Sequence, residues 1–423
     1  DVYKRQRGLG DVYKRQLAMV YTFAVPREAV ELYGEEFLNN PVGTGPFITG
    51  VYTQSNVINY EKNPNYRTVT YPSIGSELDK KNGLLAYAGK KLPLVDKIKV
   101  NIVTESSTRF LKFKKGEVDL SEIPKDDFNE VVTPDQGLTD KFQQMGIDLV
   151  VTPDLDITYI AFNHDDPLFK NNVKLKRAMS LAYDNDLANK LFYNGRGIVA
   201  QTIIPPGIGG YDANYKNPYK QYDLEKAKKL LAEAGYPGGK GLPEIKYETT
   251  STTVSRQMSE FFAKAMADIG IKISVNTNTW PQLTQKTKKR QAQMFGMAWL
   301  GDYPDGENFL QLIYGPNSAP GPNGGNYNDP KFNADFEKAK NMQPGPERAK
   351  LYKRLAQDSA EQIPLMFGVH RTSFVLKHSW LKNYKFSSFS SGNAKYYDID
   401  LSKKKEVIES GSLSEVDNKT ASN

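Results

Sequence analysis

The chain has 423 residues, 56 Lys and Arg against 49 Asp and Glu, and no cysteine. Its length allows about two to four domains, and 39% hydrophobic with 11% aromatic residues can build packed cores, which excludes a disordered or collagen-like chain. The absence of Cys excludes a disulfide framework, thiolate metal sites and a Cys nucleophile, and the apolar stretch 17–26 is far short of the roughly 20 residues that cross a bilayer.

Residues 1–16 read DVYKRQRGLGDVYKRQ, the same hexapeptide twice, and supply +3 of the net charge of +7. A repeat at this spacing fits no repeat architecture, so it reads as a cloning or assembly scar and is set aside. The remaining charge is too weak and dispersed for a nucleic-acid face. No start Met, signal peptide or lipidation signal follows, so the chain reads as a fragment whose natural N-terminus is missing.

In chain order, VINYEKNPNY (57–66) starts as a strand and ends in an Asn-Pro turn. In KIKVNIV (97–103), Lys97, Lys99 and Asn101 alternate with Ile98, Val100 and Ile102, a half-buried strand. STRFLKFKKGEVDL predicts a short helix, a stop at Gly116 and a second strand. Residues 173–194 predict a helix with Gly195 beyond its end. Asp223 can cap a helix carrying Leu224, Ala227, Leu230, Leu231 and Ala234. Met258, Phe261, Phe262, Ala265, Met266 and Ile269 form another stripe, stopped at Gly270, and IKISV (271–275) alternates as a strand. The order is mixed helix and strand with βαβ-like spacing. Pro/Gly-rich stretches at 204–210, 236–241, 315–325 and 343–346 are loops. The polar segment 403–423 reads as a frayed or disordered tail.

Catalytic templates are nearly empty: there is no GxxxxGK[ST], HExxH, GxSxG or GxGxxG. Gly43-Thr-Gly45-Pro-Phe47 reads as a tight turn, not a phosphate loop. His164, His370 and His378 read as surface or hydrogen-bonded residues, not metal ligands. Asp165-Asp166 reads as a solvated turn before Pro167, and Asn326–Asp329 as an Asx-type turn lacking calcium-loop spacing. The most informative window is MFGMAWLGDYPDGENF (294–309). An apolar strand delivers Trp299, then a loop carrying Asp302, Asp305 and Glu307. The aromatic offers apolar area and Asp302 can hold an ammonium group. A buried strand followed by an ordinary acidic turn explains the same pattern.

This window and eight others in collinear order resemble the family 5 extracellular solute-binding proteins, the peptide- and dipeptide-binding proteins that serve ABC importers. The others are NPVGTGPF (40–47), INYEKNPNY (58–66), LPLVDKIKVNIV (92–103), FLKFKKGEVDL (110–120), YIAFNHDDPLFKNNVKLKRAMSLAYDND (159–186), IIPPGIGGYD (203–212), YDLEKAKKLLAEAGYPGG (222–239) and ERAKLYKRLAQDSAEQIPLMF (347–367). The resemblance extends to about residue 402. It implies an α/β, two-lobed periplasmic-binding-protein-like fold (type II, cluster C-like), with mixed sheets flanked by helices, closing around its ligand. By it, 17–47 finish an extra small domain, 48–155 and 385–402 form an incomplete first lobe, and 156–384 form the second. The family portion preceding the GTGPF turn is missing from the chain.

By the same resemblance, Asp302 pairs with the α-amino group of a peptide. Trp299 and Tyr303 belong to the pocket wall, and Gly296, Met297, Ala298 and Leu300 offer backbone groups to an extended ligand, as in strand addition. Some relatives place an Arg on this strand. Here it has none, so Arg256 and Arg371 are the candidates for a ligand carboxylate. The implied function is non-enzymatic: a monomer that captures peptides and delivers them to ABC importer permease subunits. It needs no cofactor, metal or nucleic acid. Its location is periplasmic or attached to the cell surface, with membrane association only through the permease or a missing lipid anchor. One alternative is a same-family binder of an oligosaccharide, through Trp280, Trp299 and Tyr303, or of a nickel complex. Another is a secreted hydrolase, which would need a nucleophile or carboxylate pair in one cleft.

Overall fold

The computed structural model describes residues 17, 19–53, 56–386, 392–411 and 413; the hexapeptide repeat at 1–16 lies outside them. Beyond Ala18 the chain divides into two compact units, Met19–Thr152 with Ser373 onward, and Pro153–Thr372. Among the described residues no helix is long and apolar enough to cross a membrane.

In the discontinuous unit, strands β1 (Phe47–Thr53), β2 (Val57–Lys62) and β3 (Lys97–Asn101) form an antiparallel sheet in the order β1-β2-β3. The expected strand from 97 is present but ends at Asn101. The GTGPF segment is the turn into β1: Asn63 Nδ2 donates to the Gly45 carbonyl at 2.8 Å. Strands β4 (Leu120–Glu122), β5 (Ile147–Pro153) and β13 (Thr372–His378) form a second sheet, ordered β4-β13-β5. The helix Ser106–Lys114 is followed by Gly116 at φ +70°, which only glycine adopts cheaply, as the sequence predicts. Its Phe110 and Phe113 join Phe142 and Trp380 in one buried core.

Two boundaries differ from expectation. The chain returns to this unit at Ser373, not at 385, because Val375 and Leu376 of β13 pair with Glu122 and Ser121 of β4. The segment expected as a disordered tail instead begins inside the helix Leu401–Glu409. Asp400 caps that helix by accepting from Lys403 N at 3.0 Å, and Lys404 pairs with Asp119 at 2.9 Å. Val407 and Leu413 pack on the same core. Preceding it, β14 (Leu381–Lys382) pairs with β15 (Asp398–Ile399).

The continuous unit is built on a five-stranded sheet. Its strands are β6 (Asp156–Phe162), β8 (Ile245–Thr250), β9 (Ile273–Asn278), β10 (Met294–Leu300) and β11 (Leu365–Phe367), in the order β11-β6-β10-β8-β9; β7 (Ile198–Val199) and β12 (Val369–His370) pair beside it. β8, β9 and β10 run parallel, which requires crossovers. The helices Thr253–Ala267 and Trp280–Lys288 supply them. Side chains alternate between two cores. Ile157, Tyr159, Ala161 and Phe295 enter one, and Phe162 and Met294 the other.

The helix predicted over 173–194 is two, Val173–Ala182 and Asn185–Tyr193. Asp184 breaks it, because its carboxylate accepts from Leu187 N at 2.9 Å and so caps a new helix. The capped helix Leu224–Glu233 and the stop at Gly270 are as the sequence predicts.

Candidate binding site

β10 is covered unequally. On one edge it pairs with β6 along its whole length, from Met294↔Phe162 to Leu300↔Asp156. On the other it pairs with β8 only at Met294↔Tyr247 and Phe295↔Glu248. β8 continues alongside β9 to Thr250↔Asn278. Glu248 holds that pair together, accepting from Asn276 at 3.1 Å and Asn278 at 2.7 Å and pairing with Lys286 at 2.7 Å. The sheet therefore forks after Phe295. Among the described residues, 296–300 have no strand on their outer edge, so alternate backbone N–H and C=O groups there are open to an added chain.

The fork opens on a cavity of about 250 Å³. Gly296 sits at its crotch, where a Cβ would come within 2.4 Å of the Tyr247 hydroxyl oxygen; the missing side chain lets that ring lie over the strand. Gly296, Met297 and Ala298 line the cavity, and Trp280, 57% exposed, stands at its rim. Behind it, the buried Lys220 donates to Asn185 Oδ1 at 2.5 Å and to the Phe367 carbonyl, both on the wall. Burial pushes the Lys220 amine down to about 7.

Arg371 also faces the cavity. Its main-chain N donates to Asp156 Oδ1 at 2.8 Å, and its Nε pairs with the other oxygen of that fully buried carboxylate. Burial opposes the guanidinium charge, but Asp156 outweighs it and holds the pKa above its ordinary value. Arg256 is exposed on the helix Thr253–Ala267 and does not line the cavity.

The loop after β10 is organised by a residue the sequence did not single out. Asn308 is fully buried, and its Oδ1 accepts from Trp299 Nε1 at 2.9 Å and from Asp302 N at 3.0 Å. Its Nδ2 donates to Asp302 Oδ2 at 3.3 Å. Asp305 caps the short helix Gly306–Leu310 and pairs with the buried Arg348 at 2.8 Å, so its charge is spent internally. Asp302 is half-buried, and among the described residues no Lys, Arg or His pairs with it. Trp299 packs with Met297 on the core shared by Phe295, and Tyr303 is buried; neither lines the cavity. Leu300, 50% exposed, continues the open edge towards Asp302.

The remaining motifs are structural. Asp166 caps the helix Pro167–Lys170, and Asp329 caps Pro330–Lys340. All three histidines are buried and hydrogen-bonded to main-chain carbonyls: His164 to Pro364, His370 to Asp156 and His378 to Phe113. Among the described residues no cluster of His, Asp and Glu is fit to hold a metal.

Comparison with known proteins gives a consistent picture. The profile of the bacterial extracellular solute-binding proteins, family 5 middle, matches residues 10–321. Heme-binding protein A of Haemophilus influenzae is 28% identical over 372 residues, 86% of this chain and 60% of that protein. The dipeptide-binding protein of Escherichia coli is 26% identical over 351 residues, 82% of this chain and 59% of that protein. The chain thus spans about 60% of the length of these relatives. In fold it is similar to DppA, a periplasmic binding protein of an ABC transporter from Helicobacter pylori solved with the peptide STSA. The TM-score is 0.78 at 24% identity, over 93% of this chain and 71% of that one. The fold is thus the two-lobed α/β type of the periplasmic binding proteins, and the chain belongs to family 5 of the bacterial extracellular solute-binding proteins.

Proposed function

We propose that the chain is the solute-binding component of an ABC importer, that its cargo is a peptide, and that it acts outside the cytoplasm, handing the cargo to membrane permease subunits as a monomer. We read the two compact units as its lobes. The observation that carries the peptide reading is the open outer edge of β10 ending in Asp302. An extended peptide adds to residues 296–300 by main-chain hydrogen bonds. Its ammonium group meets an acid that has no cationic partner among the described residues, a charge-assisted contact of about 1.5–3 kcal/mol. Asn308 holds that acid and the Trp299 indole in one arrangement, so little ordering remains to be done on binding. Capture and release need no covalent step, and the chain is not an enzyme on this reading.

The three aromatics named for a sugar are not gathered: Trp280 stands at the cavity rim while Trp299 and Tyr303 pack elsewhere. This disfavours a sugar site built on those three. The E. coli relative is named for dipeptides and the H. influenzae relative for heme, so the test spans both. A thermal-shift panel of peptides, oligosaccharides, nickel chelates and heme reads a true ligand as a raised melting temperature. Peptides are expected to raise it. A rise confined to sugars, chelates or heme contradicts the reading.

A further inference from the structure

We infer that the cavity in the β8–β10 fork is the seat of one bulky apolar side chain of the cargo, so that the protein selects peptides by an aromatic or large aliphatic residue third or fourth from the free amino terminus. This rests on the reading of β10 as the strand to which a peptide adds.

The first argument is the chemistry of the walls. Six of the polar side chains lining the cavity are already engaged inside the protein. Asn185 accepts from Lys220 and donates to the Tyr183 carbonyl at 2.9 Å. Asn189 holds Gly197 on both sides, donating to its carbonyl at 2.7 Å and accepting from its N–H at 3.1 Å. Thr158 Oγ1 accepts from Val369 N at 2.8 Å and donates to the Val369 carbonyl at 3.2 Å. Thr250 and Ser255 bond each other at 2.6 Å. The one charged wall residue, Arg371, is neutralised by Asp156. A polar group entering here would leave water and find few new partners, whereas an apolar group gains from leaving it.

The second argument is shape. Tyr183, Tyr247 and Met366, which share one apolar core, line it together with Met258, Met297 and Phe367. Methionine walls adapt to different apolar outlines without repacking the backbone. Apolar cavities of about 150 Å³ accept benzene, and sites for whole small ligands run to about 300–1,000 Å³. At about 250 Å³ this cavity holds one large side chain and not a whole ligand.

The third is register. Both chains of a strand pair advance about 3.3 Å per residue. With the ammonium group at Asp302, the first cargo residue lies beside Gly301 or Leu300. At one residue per residue of β10, the third or fourth lies beside Ala298 and Met297, where the cavity opens.

The test is calorimetric titration of the full chain with Ala-Ala-Phe-Ala, Ala-Ala-Ala-Phe, Phe-Ala-Ala-Ala, Ala-Ala-Glu-Ala and tetra-alanine. It is run beside the neutral probe N-acetyl-phenylalaninamide, whose binding is followed by the change in intrinsic tryptophan fluorescence. One of the first two peptides is expected to bind at least tenfold tighter than Phe-Ala-Ala-Ala and tetra-alanine. Ala298→Phe, checked for folding by circular dichroism, is expected to erase that ratio and to block the probe. Equal affinities across the five peptides, or preference for Ala-Ala-Glu-Ala, overturn the inference while leaving peptide capture standing. If no peptide binds but the probe does, and Ala298→Phe blocks it, the apolar seat stands and the peptide reading falls. If neither binds, both fall.

Discussion

A single buried amide sets the chemistry of the loop after β10. In Asn308→Ala the Trp299 indole N–H and the Asp302 main-chain N–H both lose their acceptor, and the Asp302 carboxylate loses its donor. Leaving such groups unpaired costs about 1–3 kcal/mol, which urea unfolding would read. Because the lost contact also aims Asp302, the variant should weaken peptides with a free amino terminus at least threefold and leave acetylated peptides unaffected. A purely structural role would weaken both alike. Buried imidazoles make a second expectation. Burial pushes His370 and His378 down to about 4, below the ordinary value near 6.5. The unfolded chain therefore takes up protons before the folded one does, and stability falls as pH drops from about 6.5 through 4. By pH 5 each residue removes about 2 kcal/mol. Melting temperatures at pH 7.5 and pH 5 would show the loss, and His378→Gln should lessen it. A flat profile over that window contradicts the burial account. At this scale the pattern of an acid following an apolar strand was legible, and it made Asp302 a candidate. Asn308 was not, because an Asn in a turn carries no mark of being fully enclosed. Tyr303 and Arg256 looked equally suitable in sequence, yet one is packed into the interior and the other faces solvent away from the cavity.

Two turns of the continuous unit meet backbone to backbone at glycines. Gly239 and Gly270 both have positive φ, +79° and +89°, and a Cβ on Gly239 would lie 1.9 Å from the Gly270 carbonyl oxygen. A Cβ on Gly270 would lie 2.4 Å from the Gly238 carbonyl oxygen. No rotamer change relieves a clash with main chain, so Gly239→Ala or Gly270→Ala should cost more than the roughly 1–3 kcal/mol of a strained dihedral alone. Gly296→Ala should cost less, because its clash is with the far end of the Tyr247 side chain. Denaturant midpoints of the three variants give the ranking; a Gly296→Ala loss equal to the others would contradict it. The strand at β3, the cap at Asp223 and the stop at Gly270 were readable because those signals are local, although Val100, expected on the buried face of β3, is 40% exposed. The split at Asp184 and the helix Leu401–Glu409 were missed. In the first, a cap outweighed a continuous apolar stripe. In the second, a polar stretch is held by Asp119 and by the packing of its own Val407 and of Leu413 on a core distant in sequence. The fork was invisible for the same reason. That β8 leaves β10 after Phe295 is a fact about pairing, and no residue in MFGMAWL announces it.

For the molecule as a whole, membership in a solute-binding family and an open strand edge ending in an acid that no cation among the described residues pairs with support one account: cargo is held by its backbone and its charged terminus. The family was legible in nine collinear motifs, and with it the expectation of a peptide cargo; the open edge of β10 was not. The most direct measurement is a calorimetric cycle with the wild type and Asp302→Asn, each titrated with one tetrapeptide and its N-acetylated form. In the wild type, acetylation should weaken binding at least tenfold; in Asp302→Asn the two forms should bind alike, because the carboxylate that distinguished them is gone. An acetylated peptide that binds the wild type as tightly as the free one, or a tenfold difference that persists in Asp302→Asn, would contradict the account.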